Sequence, residues 1–317
     1  MAQTVITDQK RQKTFWQKLG LNIVQYKWTY LMLIPVLVYY ILFHYGPLYG
    51  VQIGFKDFSP GLGIWGSKWV GLKHFISFFQ GVYAWRTIRN TLFINIYQLI
   101  FGFPAPIILA LLLDEVSNVM FKKLVQTITY LPHFISTVVI AGILTDFCST
   151  TGLFNQLALM VNPSYEKVAL LSRPELFRTI YVASGIWQTV GWSSIIFIAA
   201  LSGVDAELYE AVAIDGGNRF HRVWNVSIPS IMPTIVIMLI MRIGNMMSLG
   251  YEKIILLYNT STYEVADVIS SYVYRRGLLE FSYSFSTAVG LMNNIINFIL
   301  VNLANSVSRK VTETSLW

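Results

Sequence analysis

The polar and apolar positions of this 317-residue chain are sorted into long blocks. Apolar runs cover Tyr30–Tyr45 and then about 88–113, 124–147, 179–202, 227–249 and 284–305. A membrane-crossing helix needs ~20 predominantly apolar residues, and tilt absorbs any excess. The pattern therefore predicts an all-α integral membrane protein with six transmembrane helices. Its parts are a cytoplasmic N-terminal tail (1–28), a first span (29–47), an extracytoplasmic segment (48–87), a five-helix core (88–308) and a short cytoplasmic tail (309–317). The first run is followed by His44-Tyr45-Gly46-Pro47 instead of a small-residue cleavage site, so it reads as an uncleaved span. Phe15, Trp16, Leu19 and Ile23 recur at helical spacing, which suits part of the tail to the membrane surface. Gly102, Pro104, Pro106, Gly191, Pro233, Gly244 and Gly290 interrupt the runs; membrane helices tolerate these where neighbours satisfy the freed backbone groups.

Composition agrees with that division. The chain is 55% hydrophobic and 12% charged, against about 25% charged in a soluble domain. The net charge of +7 concentrates near the N-terminus, at Lys10, Arg11, Lys13, Lys18 and Lys27. In a membrane protein this points to anionic lipid and to topology, not to nucleic acid. With the tail inside, inner and outer segments hold equal numbers of cations, and Arg242 lies within a span. The inner loops are shorter and their cation density higher, which favours cytoplasmic termini. The one cysteine, Cys148, excludes an internal disulfide and reads as a buried apolar filler. His44, His74, His133 and His221 are scattered, so no metal site and no catalytic constellation is expected. Asp114, Glu115, Asp205 and Glu207 fall at span ends, where solvated roles are expected.

One charged stretch stands apart, Leu208 to Pro229, between two apolar runs. Its first half is made of good helix formers. Gly216 and Gly217 end that helix, Asn218 caps a second, and Phe220 and Trp224 lie one turn apart. Pro229 suits the first turn of the next span. A helix, a bend and a second helix at a membrane surface form an elbow able to take a push from a soluble partner. The same residues resemble the EAA loop of ABC importer permeases: Glu210, Ala211, Val212, then Gly216, then Val226, Ser227, Ile228, Pro229 at the family's spacing, with apolar replacements at Val212, Val226 and Ile228. The resemblance implies a coupling site in which Glu210 and Asp215 orient the loop and contact an ATPase. Gly216 would set the bend, and Ala211 and Ala213 keep a slim face for insertion.

Tyr30-Leu-Met-Leu-Ile-Pro35, Gly54-Phe-Lys-Asp-Phe58 and the segment 63–75 resemble the LplB-type polysaccharide permeases, within the maltose-permease-like superfamily. This implies the type I ABC importer permease fold in a bacterial cell membrane, and transport of an oligosaccharide or polysaccharide-derived sugar. The implied partners are a second homologous permease, two ATPase subunits and an extracytoplasmic binding protein. ATP and Mg would sit on the ATPases; this chain would be no enzyme and carry no cofactor. Gly61, Gly66, Ser67 and Lys68 superficially resemble a phosphate-binding loop, but the lysine is one place late and no Ser or Thr follows it. An ATP-independent secondary transporter or channel is the alternative, although no internal repeat favours it. A membrane enzyme acting on lipid-linked sugars would need an acidic or histidine cluster that is absent from the sequence.

Polar groups inside spans are costly and face a bundle interior or a wet cavity. Arg242 and Asn245 share a face of the fifth span, and Asn293 and Asn297 a face of the sixth. The second span carries Asn95 and Gln98, and the fourth Gln188, Ser193 and Ser194 beside Trp187 and Trp192. Amides and aromatic faces suit a sugar path, and equally suit contacts between helices. Arg242 has no carboxylate within its own span; an acidic sugar or a carboxylate of another subunit could meet it, and Glu252 and Glu280 are the local candidates.

Overall fold

The structure is a computed structural model that describes residues 22, 25–312 and 314–317. The chain divides into two units, residues 1–52 and 53–317. The first contains helix Lys27–Tyr40, which passes through a π-helical turn, Ile41–Tyr45, into further single turns. This first apolar span runs Lys27–Phe55. No residue of its long helix is buried, although the helix is apolar on every side, as befits a helix whose solvent is lipid. The basic run from Lys10 to Lys18 and the predicted surface helix around Trp16 lie outside the described residues.

The second unit begins with a two-stranded antiparallel ribbon, β1 (Lys56–Asp57) and β2 (Lys68–Trp69), and a short amphipathic helix, Lys73–Gln80, that buries Phe78. Four long helices follow: the second span Ala84–Asp114, the fourth Pro174–Leu201, the fifth Arg219–Gly244 and the sixth Tyr283–Thr312. The third is not one helix. Val119–Phe134 and Thr137–Phe147 meet at 99°. Pro132 leaves a short 3-10 turn at the break, and Ser136 caps the next helix by accepting from the Val139 N–H at 3.3 Å. The bent pair counted as one span, the described residues hold six.

The spans alternate in direction. Asp114, Leu201 and Arg219 thus come to one end of the unit, called here the elbow end, and Ala84, Pro174, Gly244 and Tyr283 to the far end. Three apolar clusters hold the unit together. At the elbow end Ala110, Phe197, Leu201 and Ile231 join the second, fourth and fifth spans. At the far end Phe78, Met247, Tyr272, Phe285 and Val289 form one cluster, and Ile94, Phe177, Tyr181, Ile254 and Val268 another. Cys148 belongs to the latter and is fully buried, as its sequence context suggested.

The far-end segment between the fifth and sixth spans is folded. Helices Tyr251–Leu257 and Ile269–Tyr274 flank a buried carboxylate, Asp267. Arg275 grips it with two bonds of 2.8 and 2.7 Å, Arg86 adds one at 3.3 Å and Ser271 one at 2.7 Å. Asn90 donates to the carbonyls of Glu264 and Asp267, and Arg89 to the Glu264 carboxylate at 2.8 Å. The segment is thereby pinned to the first turns of the second span.

Candidate functional site: a polar cavity and an exposed elbow

Between the far-end and elbow-end clusters the packing opens into a cavity of about 450 Å³, walled by the second, fourth and fifth spans. Gln98, Gly102 and Pro106 line it from the second span, Gly185, Thr189 and Ser193 from the fourth, and Met238, Met241, Arg242 and Asn245 from the fifth. The positions recur every three or four residues because each helix shows the cavity one stripe. Gln98 opens a π-helical turn, Gln98–Gly102, which widens the second span at the cavity wall.

Arg242 bridges the cavity. Its Nη2 donates to Gln98 Oε1, a side-chain bond between the second and fifth spans. The local carboxylates suggested by sequence do not reach it: Glu280 pairs with Arg276, and no salt bridge to Glu252 forms. Buried Tyr181 lies beside it. Of the span residues singled out in sequence, Gln98, Ser193, Arg242 and Asn245 share this wall, whereas Trp187, Gln188, Asn293 and Asn297 do not. Asn297 accepts from the Met247 N–H at 2.9 Å and donates to Ser248 at 2.7 Å, tying the sixth span to the end of the fifth. Asn293 faces a separate far-end hollow with Tyr251, Tyr274 and Ser286. Gln188 donates to the Ile135 carbonyl at 3.3 Å, at the break of the third span, and Trp187 is half exposed. Gln98, which sequence reading treated only as one amide of the second span, is the residue that joins Arg242; its position four residues before Gly102 gave no sign of the partner.

The elbow lies at the opposite end of the fifth span. Asp205 caps helix Ala206–Ile214 by accepting from the Glu207 N–H at 3.0 Å. No residue of that helix is buried, so Glu210, Ala211 and Ala213 stand on a free surface with Asp215 just beyond. Gly216 takes φ +75°, the left-handed region that favours glycine. Gly217 turns so tightly that a Cβ there would lie 2.4 Å from Val212 Cγ1. Asn218 then exchanges two bonds with His221, capping helix Arg219–Arg222. Phe220 and Trp224 stack at 6.1 Å, both mostly exposed.

Two features were not evident from sequence. The second half of the elbow is not separate from the next span: a π-helical turn, Val223–Ser227, carries the helix from Arg219 to Gly244 without a break. Glu115, expected to be solvated, is mostly buried and receives Arg222 at 3.5 Å and Arg219 at 4.0 Å. Arg222 also lies 5.3 Å from the ring of Tyr209, whose hydroxyl meets Ser227 Oγ at 3.1 Å. The end of the second span thus holds the second half of the elbow, and Arg222 and Ser227 in turn hold the first half through Tyr209.

Comparison with known proteins bears on both regions. Residues 102–313 match the family model for the binding-protein-dependent transport system inner membrane component. The chain is 43% identical over 292 residues to protein LplB of Bacillus subtilis (strain 168), covering 92% of this chain and 91% of that one. It is 41% identical over 304 residues to the polygalacturonan/rhamnogalacturonan transport system permease protein YteP of the same organism, covering 95% and 94%. A bacterial ABC transporter involved in the import of the acidic polysaccharide alginate contains a chain that superposes with TM-score 0.85 at 40% identity, covering 93% of this chain and 99% of that one. A bacterial alginate ABC transporter in complex with an alginate pentasaccharide-bound periplasmic protein contains another, at 0.86 and 38%, covering 96% and 100%. The cavity between spans, the protruding elbow and these likenesses together identify the chain as a member of the binding-protein-dependent transport system inner membrane component family, with the type I ABC importer permease fold.

Proposed function

We propose that the chain is one permease half of an ATP-driven importer for an oligosaccharide. A second homologous permease completes the path, two ATPase subunits carrying ATP and Mg dock at the elbow end, and an extracytoplasmic binding protein delivers sugar to the far end. Both termini then lie in the cytoplasm. One observation carries the reading: an exposed helix and its bend lead into a helix that runs without a break from Arg219 to Arg242 in the cavity wall. Movement of a docked motor would reach the path along one rigid rod, a simple mechanical route to alternating access. The relatives' sugars support the substrate class.

The geometry supports an assignment of the working parts. Glu210 and Asp215 offer carboxylates on the exposed helix, Ala211 and Ala213 leave it slim, and Gly216 fixes the angle between the halves. Thr189, Ser193, Gln98 and Asn245 offer the cavity hydroxyls and amides that match those of a sugar. Copurification from native membranes, followed by reconstitution with the recovered subunits, tests the reading. Uptake of oligosaccharide should require ATP and the binding protein. Uptake by the purified chain alone without ATP, or no ATPase cross-linked to Glu210 or Ala213, would overturn it.

A further inference from the structure

Cations in this unit differ in how they are neutralised. At the far end Arg86, Arg89, Arg275 and Arg276 each have a carboxylate. Arg178, Lys253 and Arg242 are half-buried, and none forms a salt bridge with a described carboxylate. Each is held by neutral groups alone. Arg178 donates to Asn90 Oδ1 at 3.0 Å and lies 4.9 Å from the Phe93 ring. Its Nε is buried with no partner. The Lys253 ammonium donates to the Tyr181 carbonyl at 3.2 Å and sits 4.9 Å from the Tyr181 ring. Arg242 donates to Gln98.

The three are arranged along one route. Val182, Gly185, Thr189 and Ser193 form the fourth span's cavity stripe, and Arg178 continues it one turn toward the far end. At ~1.5 Å per residue, Arg178 stands ~6 Å above Val182. Lys253 comes to the stripe from the side: its ammonium is 3.7 Å from the point where a Cβ on Gly185 would be. Arg242 faces the same cavity from the fifth span. Partial burial strips water from a cation, and a fixed carboxylate usually compensates. Here the compensation is missing for one cation in the cavity wall and for two beside the helix that forms it. Burial lowers the Lys253 ammonium to about 8, with no carboxylate to offset the loss of water.

We infer that Arg178, Lys253 and Arg242 form a ladder that hands the carboxylates of a uronate-type, acidic oligosaccharide from the far end into the cavity. Neutral partners hold each cation in place and leave its charge for the passing sugar. Gly185 leaves the ammonium of Lys253 room at the wall. The inference rests on the importer reading above and narrows its substrate class.

The test uses the full reconstituted transporter with its binding protein. Uptake is measured for an oligogalacturonate and for the same oligosaccharide methyl-esterified, with Lys253→Met, Lys253→Arg and Arg178→Gln compared with the parent. The binding protein is the same in every arm, so its preference cancels in the ratio of variant to parent. Loss of one charge-assisted contact should reduce uptake efficiency for the acidic sugar by about tenfold. Lys253→Arg, which keeps the charge, should retain most of it, and the ester should change less than about twofold. Equal uptake of the acidic sugar by Lys253→Met and Lys253→Arg overturns the ladder, as does an equal loss for both sugars in Arg178→Gln. Absence of ATP-dependent uptake of either sugar by the parent would instead refute the importer reading itself.

Discussion

Gly216 is the residue on which the elbow turns. Its φ of +75° costs a residue with a Cβ about 1–2 kcal/mol, less for Asn and Asp. Nothing in the chain lies within 4 Å of where that Cβ would be. Gly216→Asp should therefore leave the protein folded in the membrane and act on whatever docks there. We expect sugar uptake to fall while binding-protein-stimulated ATP hydrolysis persists, and parallel assays of the two activities check it. Glu210→Lys reverses a charge on the same free helix and should uncouple in the same way; normal uptake by either variant would remove the elbow's role. Both positions stood out in sequence, because glycine and helix-former patterns report local backbone demands. Glu115 did not, because its partners Arg219 and Arg222 are more than 100 residues away.

The elbow, the fifth span and the end of the second span form one mechanical assembly. The Glu115 clasp ties them at one end and the Gln98–Arg242 bond ties them again at the cavity. Glu115→Gln should loosen the first tie and lower the sugar imported per ATP hydrolysed, whereas Glu115→Arg combined with Arg222→Glu should restore part of it. A stoichiometry unchanged in Glu115→Gln would show that the fifth span alone carries the movement. The bend in the third span is the element that the apolar run concealed. Pro132 and Ser136 make the bend, but a run of apolar residues has the same hydropathy whether it is straight or folded at 99°.

Across the molecule, the far end depends on Asp267. It is fully buried and satisfied by Arg275, Arg86 and Ser271, so the segment before the sixth span and the start of the second stand or fall together. Asp267→Asn removes the charge and leaves two arginines without it. Breaking a buried pair costs about 3–5 kcal/mol, so the melting temperature in detergent should drop markedly, even with the elbow intact. An unchanged melting temperature would mean that the apolar clusters hold this end unaided.

Sequence by itself determined the membrane class, the five long spans, the elbow with its cap and bend, and the family resemblance. All of these are written in local terms: run length, helical period, capping residues and motif spacing act over tens of residues at most. Tertiary structure decided which polar groups meet. It brought Gln98 to Arg242, Lys253 to the wall beside Gly185 and Glu115 to the elbow, and it drew Asn297 and Gln188 into contacts between elements. An amide or an arginine in an apolar run announces only that it must find a partner, since hydrocarbon cannot solvate it. Which partner it finds depends on how distant helices pack, and that geometry is absent from any single stretch of the chain.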